Sequence, residues 1–386
     1  MVKDDEPQES DSIQRRVVPN SVLDQSTTSN ENCMWLGITG SNDYGEEHIN
    51  LESDKALFRD TVINDIIDCL EWKNVILRRS PLMAGKTSTA TLASRASSDK
   101  RKRGDEKIVI VNFSALAFVM DFTAAFEAMF GVTWHDMVTT IASRCMAYVI
   151  VDDVHVVYQE AGASSPPRTK LSVFWNVVKD VMSDQSSRVR MLLFAAYDTK
   201  IQHTQFSTPV RFADCDIVLG IQYLNFSHDE IVEYAKKGFD GFQYLVGSSI
   251  NGTPAIEVFC ANLEYLTGRH VGFCVRAIDV LHREYASKWR SGSRLPTANE
   301  LVRNLQDGSL FKALRSARSV AVLNTLNDVH FDRLARLFQG VIDPNDDETI
   351  QECLRRGILV ECDSDLEFSP PTMSQFFMEK LVGRLD

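Results

Sequence analysis

The sequence predicts an α/β chain, with a parallel sheet covered by helices on both faces, then a helical region and a small C-terminal module. Three observations predict it. Short apolar runs alternate with helix-patterned stretches from about residue 56 to residue 221, the signature of strand–helix–strand units. Those runs lack in/out alternation, as strands covered on both faces do. After residue 225 the character of the chain changes, and helix-patterned, charged segments dominate.

The elements follow in order. "ALFRDTVINDIIDCLEW" (56–72) carries apolar residues at helical spacing, and "NVILRR" after it reads as a short buried strand. Residues 85–95 read as a helix and "DKRKRGDEK" as a charged loop. "IVIVNFSAL" (108–116) is a second strand, with helical stretches at about 121–130 and 134–146 behind it. "AYVIVDDVHVVY" (147–158) is a strand ending in carboxylates. The turn-rich "QEAGASSPPRTK" leads to a helix at 171–185, a strand "RVRMLLFAAYD" (188–198) and a last strand "DIVLGI" (216–221).

Beyond that point, "SHDEIVEYAKKGF" starts on an N-cap serine, has an acidic first turn and ends in bases, so its charges match the helix dipole. Residues 255–290 are mostly helical, and "WRSGSRLPTANE" is a linker or turn. Short helices from about 310 precede "RGILVECDSDLEFSPP", two short strands around the turn Cys362-Asp363-Ser364-Asp365. Helices followed by a hairpin predict a winged-helix-like module. The expected divisions are a disordered polar tail at 1–35, an α/β core at 36–225, a helical lid at 226–310 and the winged-helix-like module at 311–386.

Composition excludes several classes. The chain has 386 residues, 44% hydrophobic and 24% charged, enough for two or three domains. No apolar run approaches the ~18 residues of a membrane helix, so no membrane partner is expected. The first 30 residues contain no apolar core of a secretory signal. A net charge of −12 argues against nucleic acid as the general partner and leaves room only for a local basic patch. The eight cysteines are scattered without a C-x-x-C pair, as buried thiols in a reducing compartment would be. The eight histidines show no metal-ligand spacing.

The chemistry sits in "VILRRSPLMAGKTS" (75–88). A strand, then Gly85-Lys86-Thr87, then a helix is the context of a phosphate-binding P-loop, G-x-x-x-x-G-K-[ST]. In such a loop successive N–H groups and a helix N-terminus face the phosphates, the lysine reaches the β and γ oxygens, and the Ser/Thr hydroxyl ligates Mg²⁺. Ser80 stands where the first glycine is usual. A serine fits there if its φ is negative, and Pro81 stiffens the strand exit. The expected nucleotide contacts are Ser80, Pro81, Ala84, Gly85, Lys86, Thr87 and Ser88.

A P-loop enzyme also needs an acid at the end of a neighbouring strand, and "YVIVDD" supplies two. Asp152 is the Mg²⁺-side carboxylate, with Thr87 the other metal ligand. Asp153, acting with Lys86 as the catalytic pair, stands where many ATPases carry a water-polarising glutamate. It is one methylene shorter, which sets its oxygen about 1.5 Å back, and a misplacement of about 1 Å can cost on the order of 100-fold. Slow hydrolysis is therefore expected. One strand lies between loop strand and acidic strand in sequence, the layout of AAA-like P-loop NTPases of the branch with an inserted strand and a catalytic acid (ASCE). Tyr197, Asp198 and Thr199 are alternatives for a γ-phosphate sensor, and Arg211 and Arg269 for an arginine finger. Without an N-K-x-D guanine motif, the expected cofactors are ATP and Mg²⁺.

"VILRRSPLMAGKTS", "VIVDDVHVVY", "FWNVVKD", "VRMLLFAAYD", "TPVRF" and "LTGRHVGF" follow one another in an order that resembles the NTPase module of Crinkler effectors and the related retrotransposon hot-spot (RHS) proteins. The resemblance spans roughly residues 55 to 380. It implies an ATPase-type core with a helical lid and a winged-helix-like end, acting inside a cell and often in the nucleus, for an effector the host nucleus. Arg269 and Asp198 stand where that family tends to have glycine. The basic run Lys100 to Arg103 fits a nuclear import signal. Two functional readings follow: a Mg²⁺-dependent ATPase whose lobes close on ATP, and a nucleotide-gated or nucleotide-free module that binds a protein partner and has lost catalysis. DNA binding by the C-terminal module is a third, opposed by the acidic "DPNDDE" at 343–348.

Overall fold

The computed structural model describes residues 33–39, 49, 51, 53, 56–80, 83–102, 108–115, 121–154, 169–184, 186–196, 225–239, 248–291, 296–306, 308–315, 317–340, 348–355, 358–362, 365–369 and 371–383. Pro81, Arg103, Tyr197, Asp198, Thr199, Arg211, the strand expected at 216–221 and most of the acidic stretch at 343–348 lie outside the described residues.

The α/β core is built from β1 (Cys33–Thr39), α1 (Asp60–Trp72), β2 (Val75–Ser80), α2 (Lys86–Lys102), β3 (Ile108–Ser114), α3 (Phe122–Phe130), α4 (Trp134–Asp136) running into a π turn (Met137–Ile141), β4 (Met146–Asp152), α5 (Thr169–Ser183) and β5 (Val189–Ala196). Among the described residues its five strands lie in the order β1-β3-β4-β5-β2, and every neighbouring pair is parallel. β5 separates the loop strand β2 from the acidic strand β4 in space, which is the inserted-strand layout of an AAA-like P-loop NTPase fold.

Strand residues explain the two-sided burial. Val75, Leu77, Val149, Val151, Met191 and Leu193 face an aromatic layer formed by Phe122, Phe126, Phe130, Phe174 and Trp175 on α3 and α5. Their neighbours Ile76, Ile150, Leu192 and Phe194 face α1 and α2 on the other side. Period-two geometry with both faces apolar gives the unbroken apolar runs of the sequence. Helix α2 is rich in small residues, and its hydroxyls bond back one turn: Thr91 Oγ1 donates to the Thr87 carbonyl at 3.0 Å and Ser94 Oγ to the Ala90 carbonyl at 2.9 Å.

The helical lobe contains α6 (His228–Gly238), the short pair β6 (Ser249–Ile250) and β7 (Thr253–Pro254), α7 (Ala255–Thr267), α8 (Val271–Arg290), α9 (Ala298–Gln306), α10 (Gly308–Leu314), α11 (Arg318–Ala321) with a 3-10 turn, α12 (Asp328–Phe338), α13 (Glu348–Arg355), β8 (Leu359–Cys362), β9 (Asp365–Phe368) and α14 (Thr372–Val382). Ser227 caps α6 with a full capping box: its side chain accepts from the Glu230 N–H, and Glu230 accepts from the Ser227 N–H. The β8–β9 pair is antiparallel, with Cys362 opposite Asp365 across the expected turn. One apolar cluster runs without interruption from Phe226 to Phe377.

Some details differ from the sequence reading. β1 pairs with β3 from Cys33 onward, so ordered structure reaches into the stretch read as a tail. The helix after the loop runs to Lys102, placing Lys100, Arg101 and Lys102 in its last turn rather than in a loop. Lysine and arginine are good helix formers and are favoured at the negative end of the dipole.

Candidate nucleotide site

β2 delivers Ser80 to the carboxyl end of the sheet, where crevices of parallel sheets take ligands. Ser80 is fully buried, and its φ is not in the left-handed region, so glycine's freedom is not needed there. Its hydroxyl is buried with no hydrogen-bond partner among the described residues. Met83 and Gly85 do adopt left-handed backbone, with φ of 61° and 81°. For methionine that conformation costs about 1–2 kcal/mol. Ala84 between them is buried, and Ser88 lies half-buried in the first turn of α2.

Lys86 and Thr87 open α2. The Lys86 Nζ donates to the Ser80 carbonyl at 3.1 Å, so the lysine reaches back across the mouth of the loop. The Thr87 hydroxyl donates to Asp152 Oδ2 at 2.5 Å. The structure thus brings Ser80, Lys86, Thr87 and Asp152 together from three elements. Burial pushes the Asp152 carboxyl above its ordinary value, and neighbouring Asp153 pushes the same way. The Thr87 hydroxyl, the Asp153 N–H and the Lys86 charge pull it back down.

Asp153 follows the strand with φ 56°, a left-handed aspartate. Its N–H donates to Asp152 Oδ1 at 2.8 Å, which turns its own side chain toward β3. There the Ser114 hydroxyl donates to Asp153 Oδ2 at 2.9 Å. Sequence reading missed Ser114. The sequence reading runs that strand on to residue 116, whereas β3 ends at Ser114 and the parallel register puts Ser114 opposite Asp152.

The donor set fits Mg²⁺ and a polyphosphate. The buried Asp152 carboxyl stands beside the Thr87 hydroxyl, the Lys86 ammonium and a buried Ser80 hydroxyl that has no partner among the described residues. Among the described residues no group of three or more His, Cys, Asp or Glu could hold a metal ion. Mg²⁺ does not need one, being held through one or two side chains plus substrate phosphates.

Arg269 has a left-handed φ of 65°, where glycine is the easier residue, and its guanidinium pairs with Glu264 at 3.2 Å. Cys260 and Cys274 are buried and unbridged, and burial pushes both thiols up to about 12, so they stay protonated. No helix among the described residues is long and apolar enough to cross a membrane.

No protein-family model and no curated protein matches the chain. Solved structures similar to it include a Walker-type ATPase of Pyrococcus abyssi, at 13% identity and TM-score 0.46, covering 83% of this chain and 96% of that one. The ORC2 protein of Aeropyrum pernix, solved in ADPNP–ADP complexes, is similar at 11% identity and TM-score 0.44, covering 84% and 93%. The AAA domain of FIGL-1 in complex with ADP is similar at 12% identity and TM-score 0.38, covering 79% and 92%. Likenesses this distant decide nothing about chemistry. Sheet order, the strand–loop–helix at Ser80–Thr87 and the acids ending β4 define the class from the molecule itself: a P-loop NTPase fold.

Proposed function

We propose that the protein binds ATP with Mg²⁺ and hydrolyses it slowly. The observation that carries this reading is the contact between Thr87 and Asp152 at the mouth of a loop that also holds Lys86. Lys86 and the loop N–H groups bind the β and γ phosphates. Thr87 and Asp152 would hold the metal. Bound with the nucleotide, Mg²⁺ would neutralise charge on the transferring phosphoryl group. Asp153 orients a water and takes its proton as the new O–P bond forms and the β–γ bridge breaks, leaving ADP and phosphate. Ser114 fixes the carboxylate for that task.

Residues 226–310 act as a lid, and residues 311–386 form a winged-helix-like module that carries the surface for a protein partner. The finer assignment, to the Crinkler and RHS type acting inside a cell and entering the nucleus, is supported by the sequence segments around Ser80, Asp152, Ala196 and Gly268.

A second reading, a nucleotide-held interaction module without turnover, is favoured by one observation. The short Asp153 side chain is already bonded to Ser114. Calorimetric titration with Mg²⁺-ATP tests the shared premise. Wild-type protein binds, and Lys86→Ala loses at least about 100-fold in affinity, equivalent to about 2.7 kcal/mol. Equal affinity in a folded Lys86→Ala protein would sink both readings.

A further inference from the structure

We propose that the helical lobe shapes the phosphate loop through a backbone latch, with Met83 and Gly272 as positioning residues for the nucleotide. This rests on the loop being a nucleotide site and adds a route by which the lobe sets its affinity. Met83 sits inside the loop at φ 61°, a conformation that a methionine keeps only where its surroundings impose it. The lobe supplies two such contacts. The Gly272 N–H, in the first turn of α8, donates to the Met83 carbonyl at 3.0 Å. The Met83 side chain packs against the apolar cluster of the lobe.

The seat is tight. A Cβ on Gly272 would lie 2.6 Å from both the Cβ and the carbonyl oxygen of Met83, and 3.1 Å from its Cε. Only glycine allows this approach. Beside it, Val271 Cγ1 stands 3.6 Å from where a Cβ on Gly85 would be. The start of α8 therefore covers both left-handed residues of the loop.

A lobe displaced by a few ångströms loses the hydrogen bond and the Met83 packing together. The loop then relaxes toward negative φ at Met83 and turns its N–H groups away from the phosphates. Linkage makes the effect reciprocal: whatever holds the lobe on the loop raises nucleotide affinity, and nucleotide holds the lobe on the loop. A partner protein gripping the lobe would thus act on the phosphate site without touching it.

The test is Mg²⁺-ATP affinity of the full chain as wild type, Gly272→Ala, Met83→Gly and the double variant, with thermal melting beside each. Gly272→Ala should bind about tenfold more weakly or worse. Glycine at position 83 adopts a left-handed φ without the side-chain penalty, so adding Gly272→Ala to Met83→Gly should cost under about threefold in affinity. Unchanged affinity in Gly272→Ala alone, or a full tenfold loss when it is added to Met83→Gly, overturns the latch. Should Gly272→Ala not fold, hydrogen exchange on the wild type decides: Mg²⁺-ATP should slow exchange at the Gly272 amide, and no slowing overturns the latch. A wild type that binds no nucleotide sinks the functional reading itself, whereas binding with no loss in Gly272→Ala sinks only the latch.

Discussion

The α/β core and the helical lobe bury their polar groups differently. In the core, Ser80, Lys86 and Asp152 are all buried at the mouth of the loop, and Met83 and Asp153 hold left-handed backbone beside them. The lobe is built on one apolar cluster, in which the buried Thr267 donates to the Leu263 carbonyl one turn back. The difference teaches where each part spends its stability. The core gives some up to hold a charged, strained loop ready for a ligand, and the lobe supplies packing and a seat for that loop.

The largest break in that comparison should come from the lobe's packing. Phe259 is fully buried in the lobe and meets Phe239 edge-to-face at 5.5 Å. Phe259→Ala should cost about 3–5 kcal/mol in chemical denaturation. A loss under about 1 kcal/mol would mean that the lobe is loosely packed.

A smaller effect belongs to the core. Ser114→Ala removes the donor to Asp153, and turnover should fall about tenfold, in line with about 1.5 kcal/mol for a hydrogen bond to a charged group. ATP affinity should be unchanged. A matched fall in affinity would show Ser114 to be part of binding rather than a positioning residue for Asp153.

Asp152→Asn sharpens the contrast through sign. Burial first, then Asp153, raises the Asp152 carboxyl from its ordinary 3.8. Such a group favours folding below its unfolded value and disfavours it as pH rises through the raised one. Nucleotide-free Asp152→Asn should therefore melt higher than wild type at neutral pH while losing the stabilisation given by Mg²⁺-ATP. A lower melting temperature at neutral pH would contradict the account.

The smallest effect lies in the lobe, where His228 Nδ1 meets Glu264 Oε1 at 2.5 Å and Nε2 meets Glu257 Oε2 at 2.8 Å. Those carboxylates raise the imidazole above its ordinary 6.5. Its contribution is complete below about pH 6.5 and is lost as pH rises through the raised value. The melting temperature of wild type should decline over that window more than that of His228→Gln. Parallel pH profiles would remove the clamp from the account.

Local features were legible in the sequence. β2, the loop and α2 follow one another within a single unit of chain, as do the Ser227 capping box and the acids ending β4. What was not legible depends on residues far apart. Ser114 meets Asp153 only because β3 lies beside β4 in parallel register. Met83 meets Gly272 only because the lobe folds back over the loop. β1 was read as partly tail because a seven-residue run carries no periodicity that separates an edge strand from a linker. The negative φ at Ser80 accounts for the missing glycine in the loop.

The most direct measurement of the central claim is Mg²⁺-dependent phosphate release from ATP by wild type and Asp153→Asn, with ATP affinity measured on the same samples. The account predicts slow release by wild type, release lost in Asp153→Asn, and affinity kept in both. Wild-type release that persists at the same rate in Asp153→Asn, or ATP bound by wild type with no release at all, would contradict it.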